Sequence, residues 1–377
     1  MILPAVAGLV VVLIVLWDAF ETIVLPRRVT HPFRLTRLFY RTTWRPWRAV
    51  ARQIRSGRNR ETFLSFYGPL SLLVLFVVWA IALIFGFGLL DFSAANRDLS
   101  PLPLWTGVYL SGTTFFTLGL GDVTPHSSVE RLLAVAESGL GFGFLALVLS
   151  YLPVIYQAFS RREVSIVLLD ARAGSPPTAT ELLRRHTGAD GLAELQSLLR
   201  EWERWSAEIL ESHVSYPVVS YFRSQHNNES WVAALGAILD ASALLIASVE
   251  NACSRQARLT FAMCRHTVVD LAQVFDATPR SAAPDRLPPS ELHRLRTVLT
   301  AAGFQLRDTP VANEKLAEMR RMYEPYLEAL SYHLFMQLPP WILAKEITDN
   351  WRTSAWGRIS GFSSPGQPQA SPDDHTE

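Results

Sequence analysis

Three long apolar stretches, separated by polar and charged residues, dominate the hydropathy pattern of this 377-residue chain. They cover residues 2–25, residues 69–90 and about residues 130–159. Each stretch is long enough for a helix that crosses a hydrocarbon layer of about 30 Å, which takes about 20 residues. The pattern therefore predicts a membrane protein with three transmembrane helices.

A shorter apolar segment, residues 103–116, lies between the second and third stretches. It is too short to cross the membrane but apolar enough to enter it, which predicts a re-entrant helix. Residues 117–122, with the sequence TLGLGD, follow this helix directly. Non-helical backbone at membrane depth is tolerated only where it is buried in protein or lines water. This loop is therefore a candidate for the lining of an ion-conducting pathway.

Downstream of the third stretch, apolar residues recur at helical spacing, and strand-like alternation is scarce. The spacing predicts an all-α domain over residues 181–360, preceded by a linker of residues 163–180 and followed by a disordered tail, residues 361–377. Residues 163–170 fit either a short strand or an extension of the third transmembrane helix. The predicted fold class is an all-α membrane protein with an all-α cytoplasmic domain.

Residues 230–249 are apolar enough to raise the question of a fourth transmembrane helix. Asp240 lies in the middle of this segment, and alanine is frequent around it. Both features favour a helix that is buried inside the cytoplasmic domain, because a carboxylate is costly at the centre of a bilayer.

The formal net charge of +1 hides a strongly basic segment, residues 27–60, which holds eleven arginines and no acidic residue. The arginines alternate with aromatic and aliphatic residues. This mixture is typical of a helix or hairpin on a membrane surface, with its cations on anionic lipid headgroups. A basic and aromatic run also suits nucleic acid, but its position between two transmembrane helices argues against that partner, and none is predicted.

The basic segments also predict the orientation, since positively charged loops remain on the cytoplasmic side. Residues 27–60 and the pair Arg161 and Arg162 then lie inside. The N-terminus is outside and the C-terminal domain is cytoplasmic. The two cysteines, Cys253 and Cys264, fit neither a metal site nor a disulfide framework and suit a reducing compartment. Together these features predict a multi-pass protein of a bacterial inner membrane.

Alternate glycines account for the chemistry that the TLGLGD loop can offer. A dehydrated cation needs rings of oxygen atoms in place of its water. The backbone aims successive carbonyls to one side only if alternate residues adopt left-handed dihedral angles, which Gly119 and Gly121 do without steric cost. Thr117 adds a hydroxyl oxygen at the inner end. Asp122 lies beyond the outer end, where it holds the loop and attracts cations.

The TLGLGD loop, between a short helix and a transmembrane helix, resembles the selectivity filter of potassium channels with one pore loop per subunit. The resemblance covers about residues 62–162. It implies an outer helix over residues 63–90, a pore helix over residues 103–116 and an inner helix over residues 129–159. It also implies passive K⁺ conduction by a homotetramer without an organic cofactor, because one loop cannot surround an ion. The implied K⁺ ligands are the carbonyls of Thr117, Leu118, Gly119 and Leu120 and the Thr117 hydroxyl.

Leu120 departs from the family pattern, which usually has an aromatic residue between the two glycines, bonded to tryptophans of the pore helix. The corresponding positions of the pore helix hold Tyr109 and Leu110. Replacing both partners of a polar contact by apolar groups can be nearly neutral, so we expect packing to hold the loop. Leu120 leaves a weakly selective cation channel as an alternative function.

The third transmembrane helix contains the residues that suit a gate. Gly141 matches the offset of the gating hinge in potassium channels, and Gly139 and Gly143 lie beside it. The alternative is that these small residues permit close helix packing in lipid. Pro153, near the cytoplasmic end, is predicted to kink the helix beside the inner gate rather than to mark the end of the span.

Acidic residues in the transmembrane segments are expected to be structural. Acids at membrane depth are costly and usually face protein or water. Glu137 is therefore predicted to support the pore helix through Thr113 or Thr114 rather than to bind ions. Asp18 and Glu21, near the inner end of the first helix, are predicted to pair with Arg27 and Arg28 at the membrane interface rather than to form a proton path.

The remaining sequence indicates no catalytic site. It contains no glycine-rich nucleotide motif after a strand, zinc-ligand spacing, nucleophile motif or phosphate loop, so the protein is not predicted to be an enzyme. A non-conducting, membrane-anchored sensor that acts through the helical domain is the alternative from another functional class. The sequence indicates no ligand for that domain.

Overall fold

The structure, a computed structural model, describes residues 2–25, 35–95, 103–188, 190–226, 228–249, 254–281 and 284–344. Within these ranges the regular structure is helical, and the β-type pairing is one isolated bridge between Val249 and Leu306. The predicted fold class is confirmed: long apolar helices are combined with a helical domain. The predicted tail, residues 361–377, lies outside the described ranges.

Twelve α-helices are described, and the chain divides into two compact units. The first unit comprises Met1–Gln53 and Leu64–Gln157, and the second comprises Ile54–Phe63 and Ala158–Glu377. A π-helical turn, Phe20–Val24, continues the first helix. The helices are α1 (Ile2–Ala19), α2 (Leu35–Gln53), α3 (Gly57–Ser65), α4 (Tyr67–Ala94), α5 (Leu104–Phe115), α6 (Ser128–Ala173), α7 (Ala179–Arg185), α8 (Gly191–Ser215), α9 (Trp231–Ser248), α10 (Ser254–Val274), α11 (Pro289–Ala301) and α12 (Pro310–Leu334).

Helices α1, α4 and α6 correspond to the three predicted transmembrane helices, and they make the chain a multi-pass membrane protein. α6 begins with a capping box: Glu130 N–H donates to the Ser127 hydroxyl, and Ser127 N–H donates to the Glu130 carboxylate, each at 3.2 Å. α6 then passes through Pro153 without ending.

The end of α6 corrects one predicted boundary. α6 ends only at Ala173, so the assignment of residues 163–173 to a linker is wrong, and the extension is helical rather than a strand. The reason is the spacing of the buried side chains Ile166 and Leu169, which recur at helical intervals and keep one face of α6 in the core of the second unit.

The N-terminal helix α1 packs along α4 at a contact between two glycines. A Cβ atom on Gly8 would lie 2.5 Å from the Gly86 carbonyl oxygen, and one on Gly86 would lie 2.8 Å from the Val12 side chain. Small residues at such contacts let transmembrane helices approach closely, so that van der Waals packing can hold them together in lipid. α1 is thus packed into the first unit rather than a detached anchor.

Asp18, near the end of α1, is buried and joins three helices of the first unit. Its carboxylate accepts hydrogen bonds from the Thr36 backbone N–H at 3.2 Å, from the Thr36 hydroxyl at 2.7 Å and from Trp79 Nε1 at 3.0 Å. Glu21 accepts a hydrogen bond from Trp17 Nε1 at 2.9 Å. The arginines predicted to pair with these acids lie outside the described residues. Within the described residues, amide, hydroxyl and indole groups donate to Asp18.

The apolar helix α9 forms the core of the second unit. Helices α7, α10 and α12 pack against it, and 94% of its most apolar window is buried within the protein. Its N-terminus is capped by Ser230, whose hydroxyl accepts a hydrogen bond from the Ala233 amide at 3.0 Å. A transmembrane helix offers a face to lipid, whereas α9 is covered by its own chain. This burial supports the predicted buried helix over a fourth span.

A buried network centred on Asp240 connects α9 to its neighbours. Arg286 donates to the Asp240 carboxylate at 2.6 Å, and the Tyr323 hydroxyl of α12 donates to it at 2.5 Å. Burial, and then the Asp240 carboxylate, raises the pKa of Tyr323 well above its ordinary value, so this hydroxyl keeps its proton and remains a donor. Arg286 also donates to the Pro339 carbonyl at 2.9 Å. The buried Asp240 carboxylate and the buried Arg286 guanidinium therefore compensate each other's charge.

We predict that Asp240→Ala destabilises the second unit by about 3–5 kcal/mol, because it leaves the Arg286 guanidinium buried without its carboxylate partner. The matched control is Asp285→Ala, which removes a carboxylate with a 53% exposed side chain from its ion pair with Arg320. An exposed pair contributes at most about 1 kcal/mol. Thermal unfolding of the purified full-length protein measures both losses. Small losses of equal size would contradict the role of the Asp240 network.

Candidate functional site

Residues 117–122 form a loop that follows α5 and has left-handed backbone at every second position. The φ angles are +56° at Thr117, +56° at Gly119 and +80° at Gly121. The predicted left-handed conformation of the two glycines is confirmed. Sequence reasoning missed Thr117, because a β-branched residue adopts positive φ only as an outlier. Alternation of this kind turns successive carbonyls to one side, which is the arrangement that a row of cation ligands requires.

Carbonyl groups at the end of α5 hold the start of the loop. The Thr113 carbonyl accepts hydrogen bonds from the Leu118 amide at 2.7 Å and from the Gly119 amide at 3.4 Å. The Thr114 carbonyl accepts one from the Thr117 amide at 3.0 Å. Carbonyls in the last turn of a helix lack partners within the helix, so these contacts satisfy the helix end and offset the strain at Thr117. Thr113 and Thr114 thus contact the loop through their backbone.

A hydrogen bond ties the outer end of the loop to α5. The Tyr109 hydroxyl donates to the Asp122 carboxylate at 2.9 Å. The expectation that Asp122 holds the loop is confirmed by this contact, and Tyr109 is its partner. The side chains of Leu118 and Leu120 are 61% and 64% exposed in the single chain. The chain therefore holds the loop by its ends and leaves these two side chains uncovered.

Glu137 is buried in α6 and contacts α5. Its predicted partners were Thr113 and Thr114, but the observed partner is Ser111, whose hydroxyl lies within hydrogen-bond distance of the Glu137 carboxylate. The Thr113 hydroxyl donates to a carbonyl of α5 itself. The Ser111 hydroxyl also lies 2.8 Å from the Ile84 carbonyl oxygen of α4. One hydroxyl thus links α5 to both long helices of the first unit.

Two glycines bring α5 into close contact with α4 and α6. A Cβ atom on Gly141 of α6 would lie 2.0 Å from the Phe115 carbonyl oxygen, at the end of α5. A Cβ atom on Gly88 of α4 would lie 2.7 Å from Val108. Larger residues would overlap the backbone of α5 at both points. Gly141 therefore sets the distance between α6 and the helix that carries the loop.

The residues predicted for the gate differ in their surroundings. A Cβ atom on Gly139 or Gly143 would have nothing within 4 Å, in contrast to Gly141. α6 remains helical through all three glycines and through Pro153. The packing interpretation accounts for Gly141, while the hinge roles of Gly139, Gly141 and Pro153 and the kink at Pro153 remain predictions.

An apolar cavity of about 240 Å³ lies beside the start of the loop. Residues of α4, α5 and α6 line it, among them Phe76, Phe115 and Phe144, and Thr117 is the polar residue in its wall. A cavity of this composition offers no charged ligand to a cation. Within the described ranges, no group of three or more histidine, cysteine or acidic residues could hold a metal ion. The candidate ligands that the sequence predicts for a cation are the loop carbonyls and the Thr117 hydroxyl.

We predict that Gly141→Ala lowers the thermal stability of the purified protein, because the added methyl group overlaps the Phe115 carbonyl oxygen. Overpacking of this kind costs about 1–3 kcal/mol. Gly139→Ala is the matched control on the same helix, with open space around its added carbon. We expect it to leave the unfolding temperature unchanged or to raise it, since alanine favours a helix over glycine. Equal unfolding temperatures for the two variants would contradict the packing role of Gly141.

Comparisons with known proteins point to the same part of the chain. Residues 71–157 match the ion channel family Ion_trans_2, a range that includes α5, the loop and most of α4. The chain is also 24% identical over 214 residues to the uncharacterized membrane protein YdjJ of Bacillus subtilis strain 168. That alignment covers 55% of this chain and 59% of the relative, so the chain spans less than two thirds of the relative's length. No solved structure matches the chain.

The family match confirms the resemblance that the TLGLGD loop and its flanking helices suggested. It does not extend to α1, to α2 or to the helical domain. Residues 71–157 of this multi-pass membrane protein are therefore similar to the ion channel family.

Proposed function

We propose that the protein is a potassium-selective channel in which residues 117–122 of four identical chains surround the permeating K⁺. The observation that carries the proposal is the recurrence of positive φ at Thr117, Gly119 and Gly121. A Cβ atom on either glycine would touch nothing, so these glycines serve the backbone conformation rather than close packing. This conformation is explained if the loop carbonyls face one side and bind cations there.

The mechanism is passive conduction along successive oxygen sites. The carbonyls of residues 117–120 and the Thr117 hydroxyl replace the water around K⁺. The hydrogen bonds at both ends of the loop keep its shape before the ion arrives, so little reorganisation is needed on binding. The C-terminal end of α5 adds the negative end of its dipole. Throughput requires sites that admit the ion readily and also release it.

The number of ligands requires several chains around the ion, and the resemblance to potassium channels implies four. One chain contributes one carbonyl to each ring, and a dehydrated cation needs a ring of several oxygens. The surface of α6 is consistent with assembly, because its own chain buries only 11% of its most apolar window. Large apolar side chains of α6, such as Leu132, Val135 and Phe142, are exposed in the single chain. In the proposed tetramer, neighbouring chains cover part of this surface and lipid covers the rest.

A weakly selective cation channel with the same architecture is the second candidate. The observation that favours it is Leu120, whose side chain has no hydrogen-bonding group to fix the width of the loop. The polar contact at the outer end, between Tyr109 and Asp122, is then the main restraint on the size of the ring. A looser ring would accept Na⁺ as well as K⁺.

The exposed face of α2 fits the anionic headgroups of the cytoplasmic membrane surface. The side chains of Thr36, Tyr40 and Trp44 are buried within the first unit, whereas Arg41 and Arg45 lie one turn apart on the exposed side. α2 contains no acidic residue, so its field is uniformly positive. The positive-inside rule supports an orientation with α2 on the cytoplasmic side, the N-terminus outside and the helical domain inside a bacterial inner membrane. The arginines of α2 are Arg37, Arg41, Arg45, Arg48 and Arg52.

We predict that the purified protein passes a current across a planar bilayer under a K⁺/Na⁺ gradient, and that this current reverses near the potassium equilibrium potential. We expect Gly119→Ala to abolish the current. Alanine at φ +56° strains the loop and displaces its carbonyls. Gly303→Ala is the matched control, because Gly303 has φ +103°, also with open space around it, in the helical domain. Its current and reversal potential should equal those of the wild type.

Two other results would decide against this proposal. A current that reverses near zero would show a weakly selective cation channel and would support Leu120 as the cause of the weak selectivity. An absence of current, together with thermal unfolding that does not depend on K⁺, would overturn conduction and favour the non-conducting sensor.

We predict that phosphatidylglycerol raises the unfolding temperature of the protein more than phosphatidylcholine does, and that Arg41→Gln with Arg45→Gln removes most of that difference. Each arginine near an anionic surface contributes about 1 kcal/mol of attraction. The control pair is Arg200→Gln with Arg204→Gln, two exposed arginines one turn apart on α8 among acidic residues. Identical responses of the two double variants would contradict the lipid surface on α2.

A further inference from the structure

Three segments of the second unit meet at a cluster of buried charges. They are the part of α3 that ends at Phe63, the part of α6 that follows Gln157, and residues 219–224, which include the end of the 3-10 turn Pro217–Tyr221 and the residues after it. We call this group the junction cluster. Its charged members are Glu61 of α3, Arg162 and Glu163 of α6, and Arg223.

Arg162 fastens α6 to residues 219–224. Its side chain is almost fully buried, and its guanidinium donates to the Val219 carbonyl at 2.9 Å and to the Phe222 carbonyl at 2.8 Å. The neighbouring Glu163 carboxylate accepts a further hydrogen bond at 2.9 Å. A buried guanidinium without such partners is strongly unfavourable, so α6 cannot leave this segment without exposing or stranding the charge.

The histidine beside Arg162 does not act as a proton switch at neutral pH. His213 Nε2 lies 3.4 Å from an Arg162 nitrogen and accepts from it. Burial, and then the Arg162 charge, lowers the pKa of His213 well below its ordinary value. The imidazole therefore stays neutral and adds one more acceptor for the guanidinium.

Arg223 fastens the same segment to α3 and to α12. Its guanidinium donates to the Leu334 carbonyl at 2.7 Å and to the Phe335 carbonyl at 3.1 Å, at the C-terminal end of α12. A cation there suits the negative end of the helix dipole. It also lies 3.5 Å from the Glu61 carboxylate, and the Arg60 guanidinium lies over the Phe335 ring at 5.5 Å. Burial lowers the pKa of Arg223 to about 10, which leaves it charged at neutral pH.

The segments of the junction cluster are covalently connected to the long helices of the first unit. α3 directly precedes α4, and α6 is one continuous helix from Ser128 to Ala173. The two long helices on either side of the α5 loop therefore both connect to the junction cluster. A shift of residues 219–224 would act on both connections at once, because this segment is bonded to Arg162 of α6 and, through Arg223, to Glu61 of α3.

We propose that the junction cluster couples the helical domain to the gate of the channel. It works as a conformational device: a rearrangement of the helical domain that moves residues 219–224 changes the positions of α3 and of the end of α6 together. The proposal rests on the proposed channel function, and it identifies which contacts would carry a regulatory signal.

The first test compares Glu61→Gln with Glu314→Gln in single-channel recordings. Glu61→Gln weakens the ion pair to Arg223 but leaves the carbonyl contacts of that arginine in place. Glu314→Gln removes an exposed ion pair with Arg321, formed at 3.0 Å in the same unit. The expected result is a change of open probability by about 5-fold or more for Glu61→Gln, with unchanged unit conductance and reversal potential, and no change for Glu314→Gln. An unchanged open probability in Glu61→Gln would overturn the coupling.

A second readout keeps the failure of this proposal separate from the failure of the channel proposal. Backbone hydrogen exchange of the full-length protein does not require current. Altered exchange over residues 139–157 of α6 in Glu61→Gln, with α9 unchanged, supports coupling even if the wild type passes no ions. Exchange in residues 139–157 that equals the wild type would overturn the coupling, whether or not the protein conducts.

Discussion

Backbone hydrogen bonding at membrane depth is the constraint on which the first unit depends. A helix satisfies its own amides and carbonyls, but residues 117–122 cannot, and lipid offers no partners. The chain returns amides of the loop to the open carbonyls at the end of α5, through Thr113 and Thr114. It adopts left-handed backbone at alternate positions, which turns the loop carbonyls to one side. Those carbonyls then need water or a cation, and six residues thereby support a functional proposal for the whole chain.

The position of α5 follows from the same constraint, because a helix too short to cross the membrane must be held by its neighbours. Gly88 and Gly141 allow α4 and α6 to reach its backbone, and the Ser111 hydroxyl contacts both of these helices. α1 is attached to α4 in an equivalent way, by a glycine contact and by the buried Asp18 carboxylate. The close approach of these helices gives van der Waals contact between them, and the few polar groups fix their alignment along each other.

Buried charges define the second unit in a comparable manner. Asp240, Arg162 and Arg223 are each buried with oxygen or nitrogen partners from other elements. Such pairs add little net stability compared with apolar residues, but they penalise every arrangement that separates the partners. A domain built around them tends to rearrange between a few discrete packings rather than to deform gradually. This property is consistent with the coupling through α3 and α6 that we propose.

Local features could be predicted from the sequence, because they depend on neighbouring residues: the apolar spans, the capping box of Ser127 and Glu130, and the left-handed glycines. The burial of α9 followed from Asp240 and from composition. The sequence did not indicate that Ser111 rather than Thr113 meets Glu137, that Tyr109 bonds to Asp122, or that Asp18 bonds to Trp79. These partners lie between 13 and 61 positions apart, and which hydroxyl or indole reaches a carboxylate depends on how helices rotate against each other. The sequence by itself determined the helices and the chemistry of the loop, whereas only tertiary packing decided which side chains meet, because helix rotation and separation are set by contacts between distant residues.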